Sequence, residues 1–219
     1  MPMIKIIPIN DPLFPESVKN LTNPPKMLNV LISDAIGKDF SWSERSLAVI
    51  GSRNMSNYGK NVVWDFVPRL VKAGVAIVSG LAEGVDEESQ KAALKTGGTT
   101  IGVLGFGIMK IDDFSNKKLC KEIVDSQKGF LVSPFDPHTT ATKWTFLERN
   151  RLIAALSDAL LVIEATQRSG CISTVEAALE LGKEVYVVPG SIFSYTSMGT
   201  NDLIKQGAHL ITSVGDIIS

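Results

Sequence analysis

From Ser46 onward the chain alternates short apolar runs with longer stretches of helical spacing. SLAVIGS (46–52), VAIVSG (75–80), TTIGVLG (99–105), GFLVSP (129–134), ALLVIEA (159–165), EVYVVPG (184–190) and AHLITS (208–213) are almost continuously apolar, and most end in Gly, Ser or Pro. Such runs predict strands buried on both faces. The intervening stretches predict helices over 58–73, 86–96, 117–127, 145–156, 172–181 and 200–206. In the first of these, Val62, Val63, Phe66, Val67 and Leu70 share one broad face, and Pro68 is expected to bend or interrupt the helix. Gly97-Gly98 and Gly182 stand where helices should stop.

Short apolar strands alternating with helices predict an α/β domain with an open, doubly wound, mostly parallel sheet of the Rossmann-like kind. That domain is expected to span 46–219. Residues 1–45 form a different region, with prolines at 2, 8, 12, 15, 24 and 25. They predict an N-terminal extension packed on the core, with a short helix over 25–36.

In doubly wound folds ligands lie outside the carboxyl ends of the strands. Here those ends carry Gly51-Ser52-Arg53, then Ser79-Gly80 leading to Gly84, then Gly105-Phe106-Gly107, then Ser133-Pro134. Glu164 leads into Ser169-Gly170, and Pro189-Gly190 closes the next strand. Backbone N–H groups in such turns, together with helix N-termini, suit an anion. Arg53 adds a bidentate donor suited to phosphate, and Ser52, Ser79 and Ser169 add neutral ones. Arg149-Asn150-Arg151 near a helix start either bind anions or brace loops. Glu164 either meets the hydroxyls of a sugar or caps backbone N–H groups. Neither G-x-G-x-x-G nor G-x-x-x-x-G-K-[ST] occurs at a strand–helix junction, which disfavours dinucleotide redox chemistry and ATP hydrolysis.

Composition narrows the picture. Apolar residues make up 44% and charged residues 21%, with a net charge of −1. Balanced charge argues against a wide nucleic-acid surface but leaves room for a local basic pocket. No apolar stretch is long enough to span a membrane, and the first residues lack the layout of a secretory signal, so a cytoplasmic location is expected. Two cysteines, Cys120 and Cys171, and two histidines, His138 and His209, form no metal or disulfide pattern and leave no obvious catalytic triad. No metal and no cofactor are expected.

The motifs GSRNMSNYG, SGLAEGVDEESQKAAL, GGTTIGVLGFG, GTNDLIKQGAHLI and the long run from Phe146 to Gly190 resemble the DprA/Smf family of DNA-processing proteins. The resemblance extends from about Phe14 to the end. It covers the extended Rossmann-like domain, without the helical and winged-helix domains of many members. It implies binding of single-stranded DNA, a homodimer, and help to a RecA-type recombinase in natural transformation. It places Gly51, Ser52 and Arg53 in a phosphate-binding turn, Gly80, Gly84 and Asp86 in a second motif, and Gly105 and Gly107 in a third. Arg149, Asn150 and Arg151 match an arginine-asparagine-arginine motif. Glu164, Ser169, Gly170 and Thr174 match a glutamate and serine-glycine loop, and Pro189-Gly190 a proline-glycine turn. Four positions depart from the pattern: Glu83 stands where an arginine is usual, Gln90 replaces a histidine, Met109 an aspartate, and Pro134 a glutamate.

The chain also resembles, more distantly, the cytokinin-activating phosphoribohydrolases. That likeness implies Arg149 and Glu176 as a pair flanking a ribose and cleaving the N-glycosidic bond of a nucleoside monophosphate. The main expectation is a non-catalytic binder of single-stranded DNA in DNA processing, uptake or recombination. Its alternatives are a nucleotide-binding sensor and the hydrolase. Phe106, Phe135 and Trp144 are the aromatic candidates for contacts to bases.

Overall fold

The structure, a computed structural model, describes residues 2–37 and 40–218. Its strands are β1 (Pro2–Pro8), β2 (Met27–Ser33), β3 (Ser46–Ile50), β4 (Ala76–Ser79), β5 (Thr100–Val103), β6 (Phe130–Ser133), β7 (Ala159–Val162), β8 (Glu184–Val187) and β9 (His209–Leu210). They form one sheet in the order β1-β2-β6-β5-β4-β3-β7-β8-β9. From β6 to β9 all neighbours pair in parallel. The helices are α1 (Glu16–Lys19), α2 (Asp34–Gly37), α3 (Asn57–Lys72), α4 (Val85–Lys95), α5 (Lys117–Asp125), α6 (Lys143–Ala155), α7 (Ile172–Glu180) and α8 (Met198–Lys205). Among the described residues, no helix is long and apolar enough to cross a membrane.

The central strands β3 to β6 are buried at every position and mostly apolar because helices cover both of their faces. Leu47, Val49, Ile77 and Leu161 point to one side, where Val63, Val67 and Leu70 of α3 and Ala92 and Ala93 of α4 meet them. Ala48, Ile50, Val78, Leu160 and Val162 point to the other, against Leu152 and Ile153 of α6 and Val175 of α7. The period of two in the strands thus divides two apolar layers between two helix layers.

Two expectations are corrected. Residues 25–36 hold no helix of that extent: most of them form β2, which pairs antiparallel with β6 and, over seven residues, with β1. Leu28, Val30 and Ile32 are fully buried on one face, so a period of two prevails once the edge of β6 is available to pair. Pro2 and Pro8 are tolerated because β1 is the outermost strand, where a missing N–H interrupts no central ladder. Nor does Pro68 interrupt α3, which runs unbroken over 57–72. Its apolar face packs along its whole length, and that packing outweighs one missing N–H.

The chain builds outward from β3 through β4 and β5 to β6, then crosses over through α6 to β7 on the other side of β3. The crevice between β3 and β7 is therefore the switch point, where a doubly wound sheet opens to a ligand. Glu164, just past β7, ties this crevice together. Its backbone carbonyl accepts the Ser52 N–H at 2.8 Å. Its buried carboxylate accepts the Ser56 N–H at 2.8 Å, the Ser56 hydroxyl at 2.5 Å and the Thr196 hydroxyl at 2.8 Å. A carboxylate at the start of α3 also sits favourably at the positive end of the helix. Replacing it leaves partly buried donors unpaired. Glu164→Ala is expected to reduce stability by about 3 kcal/mol, which for a chain of this size lowers Tm by roughly 6–12 °C in thermal denaturation. An unchanged Tm would show that this tie contributes nothing.

Candidate functional site

The loops at the C-terminal ends of β3, β4 and β5 carry glycines at positions where a side chain would strike a neighbouring loop or helix. Gly84 adopts φ +86°, and a Cβ there would strike the carbonyl oxygens of Ser52 and Arg53. The Val85 N–H donates to the Ser52 carbonyl at 3.2 Å, joining the loops after β3 and β4. A side chain at Gly80 would occupy the space of the Arg149 guanidinium, and one at Gly105 the space of the Phe146 ring.

Arg149 enters this cradle from α6. The helix is fixed at both ends. Thr142 and Thr145 form a reciprocal capping box at its start. At its end the Lys183 ammonium donates to the carbonyls of Ala154 and Ala155, each at 2.8 Å, and of Ser157. Burial lowers the Lys183 pKa, with Asp158 opposing. Between these anchors Arg149 is 96% buried, with its Nε and Nη1 hydrogens lacking any hydrogen-bond partner. The Phe146 ring, one turn earlier, lies 5.7 Å from the guanidinium carbon.

Asp86 at the start of α4 is the nearest countercharge and accepts the Gly80 N–H at 3.1 Å. Burial raises its pKa, while Arg149, the Gly80 and Gly51 N–H groups and the Ser79 hydroxyl pull the other way. Burial likewise pulls the Arg149 guanidinium down to about 10, Asp86 opposing and Arg53 reinforcing. Desolvation thus outweighs mutual attraction for both partners. Arg149 remains charged at neutral pH, with donor capacity that the protein does not use.

A cavity of about 630 Å³ opens at this point, lined by Ser52, Arg53, Arg149, Asn150, Ser169 and Thr174 among others. A smaller cavity of about 160 Å³ shares Arg53 and Arg149 and adds Gly80, Glu83, Gly105 and Phe106. Arg53 is exposed on the rim, so the two arginines present one deep and one superficial positive charge. Gly51 and Gly170 also line the larger cavity. Asn150 braces its wall, donating to the Ser173 hydroxyl at 2.8 Å and the Gly170 carbonyl at 3.3 Å.

Other expected site residues lie elsewhere. The Ser79 hydroxyl is buried and donates to the Val49 carbonyl at 2.7 Å, stitching β4 to β3. Gly84 and Gly107 act through close backbone approach, Gly107 against the carbonyls of Asp136 and Pro137. Arg151 pairs with Glu148 at 3.4 Å and lines neither cavity, because successive helical positions face different directions. Glu164 spends its carboxylate on the tie across the crevice, in line with the capping alternative. Glu176, the partner implied for Arg149 by the hydrolase resemblance, is exposed on α7 and does not line the cavity that holds Arg149. Phe106 and Phe135 are buried, and only Trp144 of the three aromatic candidates is exposed. The thiols of Cys120 and Cys171 are pushed up by burial to about 12 and about 11, which keeps them protonated and poorly nucleophilic. Among the described residues, no cluster of three or more His, Cys, Asp or Glu could hold a metal ion.

Lys143, Phe146 and Tyr195 line the larger cavity without having been singled out for the anion site. For the first two a signal exists: Thr142 and Thr145 mark a helix start, which puts Phe146 one turn before Arg149. Tyr195 arrives from beyond β8, and no local pattern places it there.

Comparison with known proteins identifies the family of the chain. The family model described as DNA recombination-mediator protein A matches residues 5–219. DNA processing protein DprA of Bacillus subtilis is 36% identical over 98% of this chain and 70% of its own length. Protein Smf of Escherichia coli is 38% identical over 97% of this chain, which spans 55% of that protein. A solved structure of DNA processing protein A from Helicobacter pylori, reported for its single-stranded DNA binding mode, superposes with a TM-score of 0.84. It is 30% identical, over 99% of this chain and 94% of that one. The chain belongs to the DNA recombination-mediator protein A family, that of the DprA and Smf DNA-processing proteins.

Proposed function

We propose that the chain binds single-stranded DNA through its crevice between β3 and β7 and acts in DNA processing, uptake or recombination. The observation that carries this reading is the Arg149 guanidinium, buried with two N–H groups unpartnered beside an open cavity. A buried charged donor without a partner is unfavourable, and a phosphate oxygen supplies the missing acceptor in a charge-assisted hydrogen bond. Arg53 and Lys143 line the same cavity and suit the flanking phosphates of a flexible strand. The relatives named DprA and the strand-binding structure from Helicobacter pylori support the same ligand. The family resemblance further supports a homodimer as the working form, a RecA-type recombinase as recipient of the strand, and a cytoplasmic setting.

A mononucleotide is the second reading. The cavity volume of about 630 Å³ falls within the size range of small-ligand sites, and Glu83 places a carboxylate on the adjoining wall, where it resists a long polyanion. Titration separates the two: strand binding tightens with oligonucleotide length and weakens steeply with salt, whereas a nucleotide site is indifferent to length and has a shallower salt slope.

With fluorescent oligo-dT at low salt, Arg149→Gln is expected to weaken binding at least about tenfold, the scale of a lost charge-assisted hydrogen bond. Arg53→Ala should lower the slope of log K against log salt by about 0.7, the share of one phosphate on a single strand. Glu83→Arg should tighten binding. If the unmodified chain retains no oligo-dT at low salt, the strand-binding reading fails. The pH dependence has a defined sign. Asp86 takes up its proton above the ordinary carboxylate value. Acidification through that raised value removes a negative charge beside Arg149, so strand affinity should rise as pH falls there. Asp86→Asn should abolish that rise, as read by anisotropy across a pH series.

A further inference from the structure

Phosphate contacts alone hold a strand loosely; sequence-tolerant binders add aromatic faces on which bases stack. Phe106 and Phe135 are unavailable for this, since both lie in the core. Trp144 is exposed but stands alone among the aromatics of α6, whereas the loop following β8 gathers several exposed large side chains. There Phe193 is 94% exposed and Tyr195 70% exposed, beside Ile192 at 80%. So many large apolar side chains held in water within four residues mark a place of interaction.

The loop is not slack. Its backbone closes on itself, with the Ser194 N–H donating to the Ser191 carbonyl at 3.0 Å and the Ser197 N–H to the Ser194 carbonyl at 3.1 Å. It is pinned from beneath by the Ala165 N–H to the Thr196 carbonyl at 2.8 Å, and by the Thr196 hydroxyl to Glu164 at 2.8 Å. Ser197 and Thr200 are buried under it. The polar groups face inward and the aromatic ones face out, which is a preorganised presentation. Residues 189–198 carry no charge, so this surface suits the neutral faces of bases and not phosphates. It is continuous with the anion site, because Tyr195 itself lines the cavity that holds Arg53 and Arg149.

We infer that Tyr195 and Phe193 form a base-stacking platform for the strand whose phosphate is held at Arg149, with Tyr195 taking the nearer base. The inference rests on the strand-binding reading, and the occupant is the bases of that strand. Any base fits such a platform, so it adds affinity without sequence preference.

The test compares oligo-dT with an abasic oligonucleotide of equal length, which keeps the phosphates and lacks the bases. Affinities are read by anisotropy on the full chain. Tyr195→Ala is expected to weaken oligo-dT about tenfold, the scale of one lost stack, and to leave the abasic strand and the salt slope unchanged. Tyr195→Phe should bind as the parent does, and Tyr195→Trp should bind oligo-dT and show indole quenching beyond that of the parent, which already carries three tryptophans. Phe193→Ala should weaken longer oligonucleotides more than short ones. Equal binding of abasic and thymidine strands by the parent, or equal losses for both in Tyr195→Ala, would overturn the platform while leaving the phosphate site intact. Failure of the parent to bind either strand would sink both. Phe193→Ala that changes sedimentation mass without changing oligo-dT affinity would assign the loop to self-association and overturn the proposal.

Discussion

A guanidinium held almost wholly out of water, with donors left over, is the constraint around which this rim is organised. Arg149 is tolerable there only because several other features are shaped to it. Gly80 leaves the room that its Nη1 occupies, and Asp86 supplies a countercharge nearby. Phe146 offers its ring, and Gly105 makes room for Phe146. The capping box at Thr142 and the Lys183 cap on the last carbonyls fix the helix that carries the arginine. None of these features binds a ligand by itself. Together they hold a charge in a place where an incoming anion replaces a missing partner and not a water shell.

The site differs from the simplest expectation for a doubly wound sheet, in which the helix after the first parallel strand aims its N-terminus at the ligand. Here that N-terminus is already occupied. Ser56 caps α3, and the Glu164 carboxylate takes both the Ser56 N–H and hydroxyl. The helix dipole is used to hold the two sides of the crevice together. The cavity is instead lined by side chains of α6 and by the loop ahead of α7. The same carboxylate reaches Thr196, so the rigidity of the loop after β8 and the closure of the crevice share one anchor.

Much of the fold is legible along the chain. Runs such as SLAVI and FLVS are buried at every position and apolar at all but one, because both faces of a central parallel strand are covered, and this leaves a mark independent of strand order. The glycines at strand ends are legible for a similar reason: a tight turn limits residue type wherever its neighbours lie. The segment MLNVLIS carries no clean alternation, because Met27 and Leu31 share the face of Asn29 and Ser33, and its strand is settled only when β6 offers an edge.

What the sequence determines by itself is therefore local: which segments are strands and helices, where the turns are tight, and that arginine, serine and glycine gather at strand ends. Tertiary structure alone decides which of those residues meet. Arg149 and Arg151 are two positions apart, yet one enters the cavity and the other pairs with Glu148 on the helix surface. Glu164 and Thr196 meet across 32 residues. Tyr195 reaches the site only because β8 lies beside β7. Periodicity records the environment of a residue within its own element; strand order and crossing helices fix its distant neighbours, and these make a buried charge either a brace or a binding site.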